Sequence, residues 1–88
     1  MPHYFFHIVN VDGEVTPDWE GTSLGDVESA RQEAWASLRD IIAETLKSGG
    51  KVLGLGIQIA DETGEVLDCV TALDIVEQTI GQTGQGRS

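Results

Sequence analysis

The sequence has few basic residues and a single cysteine. Its 88 residues include 5 lysines and arginines but 15 aspartates and glutamates, giving a formal net charge of −10 at pH 7. Nucleic-acid and anionic-membrane surfaces need clustered bases to displace counterions, so we expect neither partner. Cys69 alone allows no internal disulfide, and no apolar run approaches the roughly 18 residues of a membrane-spanning helix. Because the N-terminus also lacks the basic segment of a signal peptide, we expect a cytoplasmic protein.

The motifs of common enzyme and cofactor sites are missing as well. Gly54-Leu55-Gly56 is only a fragment of a phosphate-binding loop, because no third glycine and no Lys-Ser/Thr pair follow it. The acids around Asp12 lack the alternating pattern of an EF-hand loop, and residues 61–64 are too short for one. No nucleophile elbow is present. We therefore predict a protein that is not an enzyme and has no catalytic residues, cofactor or metal.

What the sequence does contain is the pattern of a short hairpin followed by a long helix. Residues 3–9 are aromatic and β-branched, which indicates a strand, and Asp12-Gly13 supplies a turn into a return strand cut short by Pro17. Residues 25–48 place apolar side chains at three- and four-residue steps, which predicts a helix packed on one side. Ser23 or Asp26 can cap its start, and Gly49-Gly50 ends it.

A second hairpin and a short helix complete the pattern. Leu53, Leu55, Ile57 and Ile59 alternate with small or polar residues, which predicts a strand, and residues 61–65 form the next turn. We place Ile59 opposite Leu67 and Ile57 opposite Cys69, because this register keeps the Asp68 carboxylate out of the core. Residues 71–74 have the capping-box pattern of a helix start, and Gly81 closes that helix.

The predicted fold is α+β. Two β-hairpins flank one long helix in the order β-β-α-β-β-α, and the helix packs on one face of a small antiparallel sheet. Residues 1–81 form a single domain. Residues 82–88 are glycine-rich and polar, so we expect a mobile tail there.

The first strand is apolar on both faces. One face carries Tyr4, Phe6 and Ile8, and the other carries His3, Phe5, His7 and Val9. One helix cannot cover both faces of a sheet, so the second needs the short helix, the loop around Trp19 or another copy of the chain. Tryptophan is also enriched at interfaces. The candidate interface residues are therefore Phe5, His7, Val9 and Trp19.

His3 and His7 have the four-residue spacing of a helical zinc site. On a strand, however, four residues span about 13 Å, which is too far for one ion to bridge. We interpret the pair as part of the mixed face of the strand. His7 then gives a possible interface a mild sensitivity to pH.

Two functions remain open. The first is a small non-enzymatic interaction or accessory module that acts as a homodimer. The alternative is an antitoxin-like regulator whose acidic surface binds a basic protein partner. Residues 12–28 and 61–77 each contain six acids and no base. A solvated face that keeps a small protein soluble is the simpler explanation of that clustering.

The combined motifs resemble a family of short uncharacterised proteins from rhizobia and related alphaproteobacteria. The shared features are an M-P-x-Y-F-F-H opening at residues 1–7, an E-G-x-x-L step at 20–24, an A-R-x-E-A segment at 30–34 and an I-x-D-E-x-G-x-V-L hairpin at 59–67. Trp19 departs from the family, where an acid is more usual. The resemblance implies a source and a fold type but no activity. A weaker, architectural likeness to HicB-type antitoxins lacks their L-P-G-C step.

Overall fold

A computed structural model describes residues 2–77 of the chain. The elements in chain order are strands β1 (His3–Val9), β2 (Val15–Thr16) and β3 (Thr22–Ser23), helix α1 (Val27–Lys47), and strands β4 (Gly56–Ala60) and β5 (Val66–Thr71). Residues 72–77 are helical again. The predicted α+β class, with one antiparallel sheet and one long helix, is confirmed. The predicted helix end at Gly81 and the predicted tail at 82–88 lie outside the described residues.

Strands β1 and β4 form the centre of the sheet. Its order is β2-β1-β4-β5, and β3 also pairs with β1. Strand β1 runs antiparallel to β4 from Phe5 opposite Ala60 to Val9 opposite Gly56. On its other side, β1 pairs with β3 at its start and with β2 at its end. Strand β3 was not predicted, because two residues are too few to show an alternating pattern.

Helix α1 (Val27–Lys47) lies within the predicted range 25–48, two residues shorter at its start and one at its end. Asp26 is the N-cap, and its carboxylate accepts a hydrogen bond from the Ser29 amide at 2.8 Å. Gly49 follows the last turn with a φ of +78°, a left-handed conformation that favours glycine. Of the two predicted caps, Asp26 is confirmed and Ser23 instead belongs to β3.

The core lies between α1 and the sheet. Ala30, Ala34 and Leu38 on α1 are fully buried, and they pack in one cluster with Tyr4 from β1, Ile57 and Ile59 from β4, and Val70 from β5. Two alanines at the contact let the helix backbone approach the strands closely. In the helical residues after β5, Ala72 is fully buried, whereas its neighbour Leu73 is 54% exposed.

The predicted register of the second hairpin is wrong by one residue. Ile59 pairs with Asp68 and Ile57 with Val70, and a register shift lies between Ile59 and Ala60. Asp68 therefore lies on the helix side of the sheet, where an unpaired carboxylate would be costly. Arg31 of α1 removes that cost, because its Nε lies 2.6 Å from the Asp68 Oδ2.

The predicted start of β4 is also wrong. Leu53 and Leu55 continue the alternating pattern, but the strand begins only at Gly56. The Leu55 amide donates to the Val52 carbonyl at 3.0 Å, so the preceding residues form a turn. Gly54 has a φ of +102°, and a Cβ there would lie 3.3 Å from the Val11 backbone. Gly54 therefore allows both the left-handed turn and the close packing of its backbone against Val11.

Candidate functional site

Helix α1 covers only one face of the sheet, and we call the opposite side the open face. Strand pairing places on it His3, Phe5, His7 and Val9 from β1, Gln58 from β4, and Cys69 and Thr71 from β5. Their side chains are half-buried, except that Cys69 is exposed. The predicted division of β1 into a helix-facing and a second apolar face agrees with this arrangement.

The loop of residues 17–21, which we call the Trp19 loop, lies between β2 and β3 at the edge of the open face. The Trp19 side chain is 84% exposed. A tryptophan of that exposure presents a large apolar surface to solvent. The Trp19 side chain therefore covers little of the sheet beneath it.

Two histidines of β1 hold the Trp19 loop. His3 Nε2 lies 2.9 Å from the Glu20 carbonyl oxygen, which can only accept, so this nitrogen carries the proton. The Asp18 amide donates to His7 Nδ1 at 3.0 Å, so that nitrogen is unprotonated. The two histidines thus bond to the residues on either side of Trp19, His7 to Asp18 and His3 to Glu20. Both can do so because they lie on the same face of β1.

No strand pairs with the middle of β1 on the side of β2 and β3, and the Asp18 carboxylate supplies the hydrogen-bond acceptor there. Its Oδ2 accepts the Phe6 amide at 3.1 Å, in the gap between the pairings with β2 and β3. Its Oδ1 accepts the amides of Glu20 and Gly21 at 3.0 and 3.2 Å. Partial burial acts to raise the pKa of Asp18, but these three amides and the nearby His7 outweigh it and lower that pKa.

Gly21 is required for the Trp19 loop to lie against β1. Its φ is +71°, and a Cβ on this residue would lie 2.5 Å from the His3 ring and 2.9 Å from the Phe5 ring. Both the backbone conformation and the space therefore exclude a larger residue. With His3, His7 and Asp18, Gly21 makes the loop a fixed support for Trp19.

Two shallow apolar depressions lie on the open face. The first, which we call the Trp19 depression, has a volume of about 220 Å³ and is lined by Phe5, His7, Asp18, Trp19, Asp61, Glu62 and Gly64. The second, the Cys69 depression, has a volume of about 280 Å³ and is lined by Val9, Gly54, Leu55, Gly56, Cys69, Thr71 and Leu73. No lysine or arginine lines either depression.

The Cys69 thiol is exposed and free, but it is a poor nucleophile. Partial burial raises its pKa, and the negative charges of Asp68 and Asp74 raise it further. The thiol therefore stays protonated at neutral pH. Its place in the depression makes it a surface for packing rather than a reactive group.

Aspartates occupy the amides at both edges of the sheet. The Ala72 amide donates to the Leu55 carbonyl of the neighbouring chain segment. Because successive amides of an antiparallel strand point to opposite sides, the Cys69 and Thr71 amides point away from β4, towards the free edge of β5. Asp68 Oδ1 accepts the first at 2.8 Å, and Asp74 Oδ2 accepts the second at 3.2 Å. Asp18 does the same for Phe6 at the other edge. These three amides are therefore not free to pair with an added strand.

Residues 2–77 were also searched for metal ligands and membrane spans. They contain no group of three or more histidine, cysteine, aspartate or glutamate side chains placed to hold an ion. His3 and His7 each bind the Trp19 loop. Over the same residues, no helix has the length and apolar character needed to cross a membrane.

A family comparison covers the same part of the chain. The model of a domain of unknown function, DUF6894, matches residues 3–74. The chain belongs to this family. The DUF6894 match runs from the first residue of β1 into the helical residues after β5, so the family domain includes α1, the whole sheet and the open face. No curated protein and no solved structure matches the chain.

The structure brings together three of the four predicted interface residues. Phe5, His7 and Trp19 line the Trp19 depression, whereas Val9 lines the Cys69 depression at the other end of the open face. Sequence reasoning missed the part played by Asp18. A signal was available, because an aspartate two residues before Glu20 is a common start of a turn closed by its own side chain.

Proposed function

We propose that this DUF6894 domain is a non-enzymatic interaction module that docks through the open face and acts as a homodimer. The observation that supports this most is Trp19, whose side chain is 84% exposed on a loop held at both ends. Fixing the loop before binding lowers the entropy lost on association. The lone cysteine and the M-P-H-Y-F-F-H opening support a cytoplasmic setting in an alphaproteobacterium.

The face is a better docking surface than the edges of the sheet. At β5, the outward amides of Cys69 and Thr71 already donate to aspartates, and the Phe6 amide donates to Asp18 on the other side. A strand added beside β5, or beside β1 in the gap between β2 and β3, would have to displace these bonds. The open face, by contrast, offers exposed apolar surface and two depressions without breaking any hydrogen bond.

Trp19 is the large apolar side chain that a partner would cover most fully. Its side chain is 84% exposed, and an aromatic side chain buries about 150–250 Å² when it is covered. Each copy carries a net charge of −10, so self-association is opposed by a repulsion that salt screens.

A basic protein partner is the second candidate, and the Trp19 depression favours it. Phe5 and Trp19 supply aromatic rings, while Asp61 and Glu62 supply acids at the rim. Hydrogen bonds from Thr63 and other donors of its turn lower the pKa of Asp61, so its charge persists in mild acid. An arginine or lysine side chain fits such a combination of rings and carboxylates.

Sedimentation equilibrium of the purified chain tests the homodimer. We expect a dimer whose association tightens as salt is added, since each copy carries a net charge of −10. Trp19→Ala should shift the protein to monomer. Leu46→Ala, which shortens a 59% exposed side chain at the end of α1, is the matched control and should leave the dimer intact. A monomer at every concentration and salt level would contradict self-association.

Salt separates the two candidates, because a complex with a basic partner weakens as salt is added. Immobilised wild type, Trp19→Ala and Leu46→Ala are exposed to extract of the encoding organism. The basic-partner function predicts one basic protein that binds wild type and Leu46→Ala, elutes in salt, and is lost with Trp19→Ala. Equal capture by all three variants would count against it.

A further inference from the structure

We propose that protonation of His7 loosens the Trp19 loop, so that the loop is held fully at neutral pH and less firmly in mild acid. The Asp18 amide donates to His7 Nδ1 at 3.0 Å. A protonated imidazole carries an N–H on both ring nitrogens and accepts at neither. The bond between Asp18 and His7 therefore exists only while His7 is neutral. Histidine is the side chain whose charge ordinarily changes between pH 5 and 8.

His3 has no such dependence, although it holds the other side of the same loop. Its Nε2 donates to the Glu20 carbonyl oxygen at 2.9 Å, and its Nδ1 lies 3.1 Å from the Ser23 hydroxyl oxygen. A hydroxyl can donate or accept. When His3 gains a proton, Ser23 changes from donor to acceptor by rotating its hydroxyl, and both bonds persist. The effect of acid is therefore confined to the Asp18 side of the loop.

Within the Trp19 depression, the charged groups that face His7 are acidic. Asp18 comes from the Trp19 loop, and Asp61 and Glu62 come from the turn between β4 and β5. On β4 itself, His7 pairs with the uncharged Gln58. A protonated ring is attracted to these carboxylates, whereas its new N–H and the Asp18 amide repel each other. The surroundings of His7 thus favour a change of partner once the ring is charged.

The Asp18 carboxylate keeps the loop near β1 when the His7 bond is lost. Although partial burial acts to raise it, hydrogen bonds from three amides lower the pKa of this carboxyl, so it stays ionised where histidine titrates. Its bonds to the amides of Phe6, Glu20 and Gly21 persist. The loop therefore loosens rather than detaches. Loss of one such hydrogen bond changes an opening equilibrium roughly two- to tenfold.

The pH dependence would regulate the open face, and for that consequence alone it rests on the proposed function. Trp19 lies between the two residues that bond to histidines and is 84% exposed. A looser loop loses more entropy when a partner fixes it. Docking through Trp19 should therefore weaken in mild acid.

Nuclear magnetic resonance of the chain without a partner tests the bond itself. The imidazole signals of His7 report its protonation. Exchange of the Asp18 amide with water, compared with the intrinsic rate at each pH, gives the protection of that amide in the same sample. We expect protection to fall roughly two- to tenfold from pH 8 to pH 5, with the midpoint of the His7 titration. Unchanged protection while His7 gains its proton, or a His7 that stays neutral throughout, would overturn the proposal.

Two variants separate His7 from the other groups that titrate. His7→Asn supplies an amide oxygen, an acceptor that does not titrate, so the protection of Asp18 should no longer vary with pH. His3→Gln removes the other titrating ring but keeps a donor, and the fall in protection should remain. A fall that persists in His7→Asn, or that disappears in His3→Gln, contradicts the assignment to His7. Circular dichroism shows whether the variants are folded, and if His7→Asn is not, the wild-type titration decides alone.

The outcomes separate this inference from the proposed function. A chain that forms no dimer and binds no partner, yet shows the pH-dependent protection of Asp18, contradicts the proposed function and supports this inference. Docking through Trp19 in a chain whose Asp18 protection is constant with pH overturns only this inference.

Discussion

Asp18 shows how one side chain can complete a sheet that the backbone leaves open. Its carboxylate accepts amides from Phe6, Glu20 and Gly21, while its own amide donates to His7. These bonds join the strand, the loop and a histidine of the open face. The position of Trp19 therefore depends on a residue that makes no apolar contact of its own.

Replacing Asp18 should destabilise the fold as well as the loop. Asp18→Ala removes the acceptor of three amides, one of them the part-buried Phe6 amide, and we expect the free energy of unfolding to fall by about 1–2 kcal/mol. Urea denaturation measures this change. Glu33→Ala, at an exposed position of α1, is the control and should stay within about 0.5 kcal/mol of wild type. Equal stability of the two variants would contradict the account.

The loss of folding stability at low pH should depend in part on the Asp18 carboxylate. The pKa values of Asp18, Asp61 and Asp68 are lowered in the folded chain. The stability that they contribute is present above the unfolded-state pKa of about 3.9 and is lost as pH falls through the lower folded-state values. Unfolding measured over an acid pH series should show this loss, and Asp18→Asn should make it shallower. An unchanged slope in Asp18→Asn would contradict the role of that carboxylate.

At the scale of elements, the residue patterns predicted what is regular and missed what depends on long-range partners. The period of α1 and its Asp26 cap are local, so they could be found from the sequence. The register of β4 and β5 was wrong because the prediction treated Asp68 as unpaired. Arg31 lies 37 positions away in the chain, and only the packed structure brings the two together. Strand β3 and the fixed Trp19 loop depend on tertiary hydrogen bonds in the same way.

The ion pair between α1 and β5 should couple the two elements. A double-mutant cycle of Arg31→Ala and Asp68→Ala, read by thermal unfolding, is expected to show a favourable coupling, because the Arg31 Nε–Asp68 Oδ2 distance is 2.6 Å. The matched control is Lys47 with Glu44, which are 3.9 Å apart and about four-fifths exposed. That pair should show less coupling. A larger coupling in the control pair would contradict the role of Arg31.

Two glycines with positive φ make a matched test of the Trp19 loop. Gly13 and Gly21 have φ values of +91° and +71°, but a Cβ at Gly13 meets open space, whereas at Gly21 it meets the rings of His3 and Phe5. We expect Gly13→Ala to cost about 1–2 kcal/mol of unfolding free energy for the backbone alone. Gly21→Ala should cost about 1–3 kcal/mol more, from overpacking. Equal losses in urea denaturation would show that the loop does not pack on β1.

At the scale of the whole molecule, charge and apolar surface are separated. Of the described bases, Arg31, Arg39 and Lys47 lie on α1 and Lys51 follows it, whereas the open face carries apolar side chains with acids at its rim. Composition predicted the acidity but not this separation, because it arises from the order of strands in the sheet. The arrangement fits a module in which α1 completes the fold and the opposite face meets a partner.

The most direct test of that claim is photocrosslinking within cells of the encoding organism. A benzoylphenylalanine replaces Gln58, in the middle of the open face, and in a separate control variant it replaces Glu33 on α1. We predict a covalent adduct from position 58 and little or none from position 33. The adduct should have twice the mass of the chain if the partner is a second copy. Absence of an adduct at position 58, or equal yields at both positions, would contradict the open face as a docking surface.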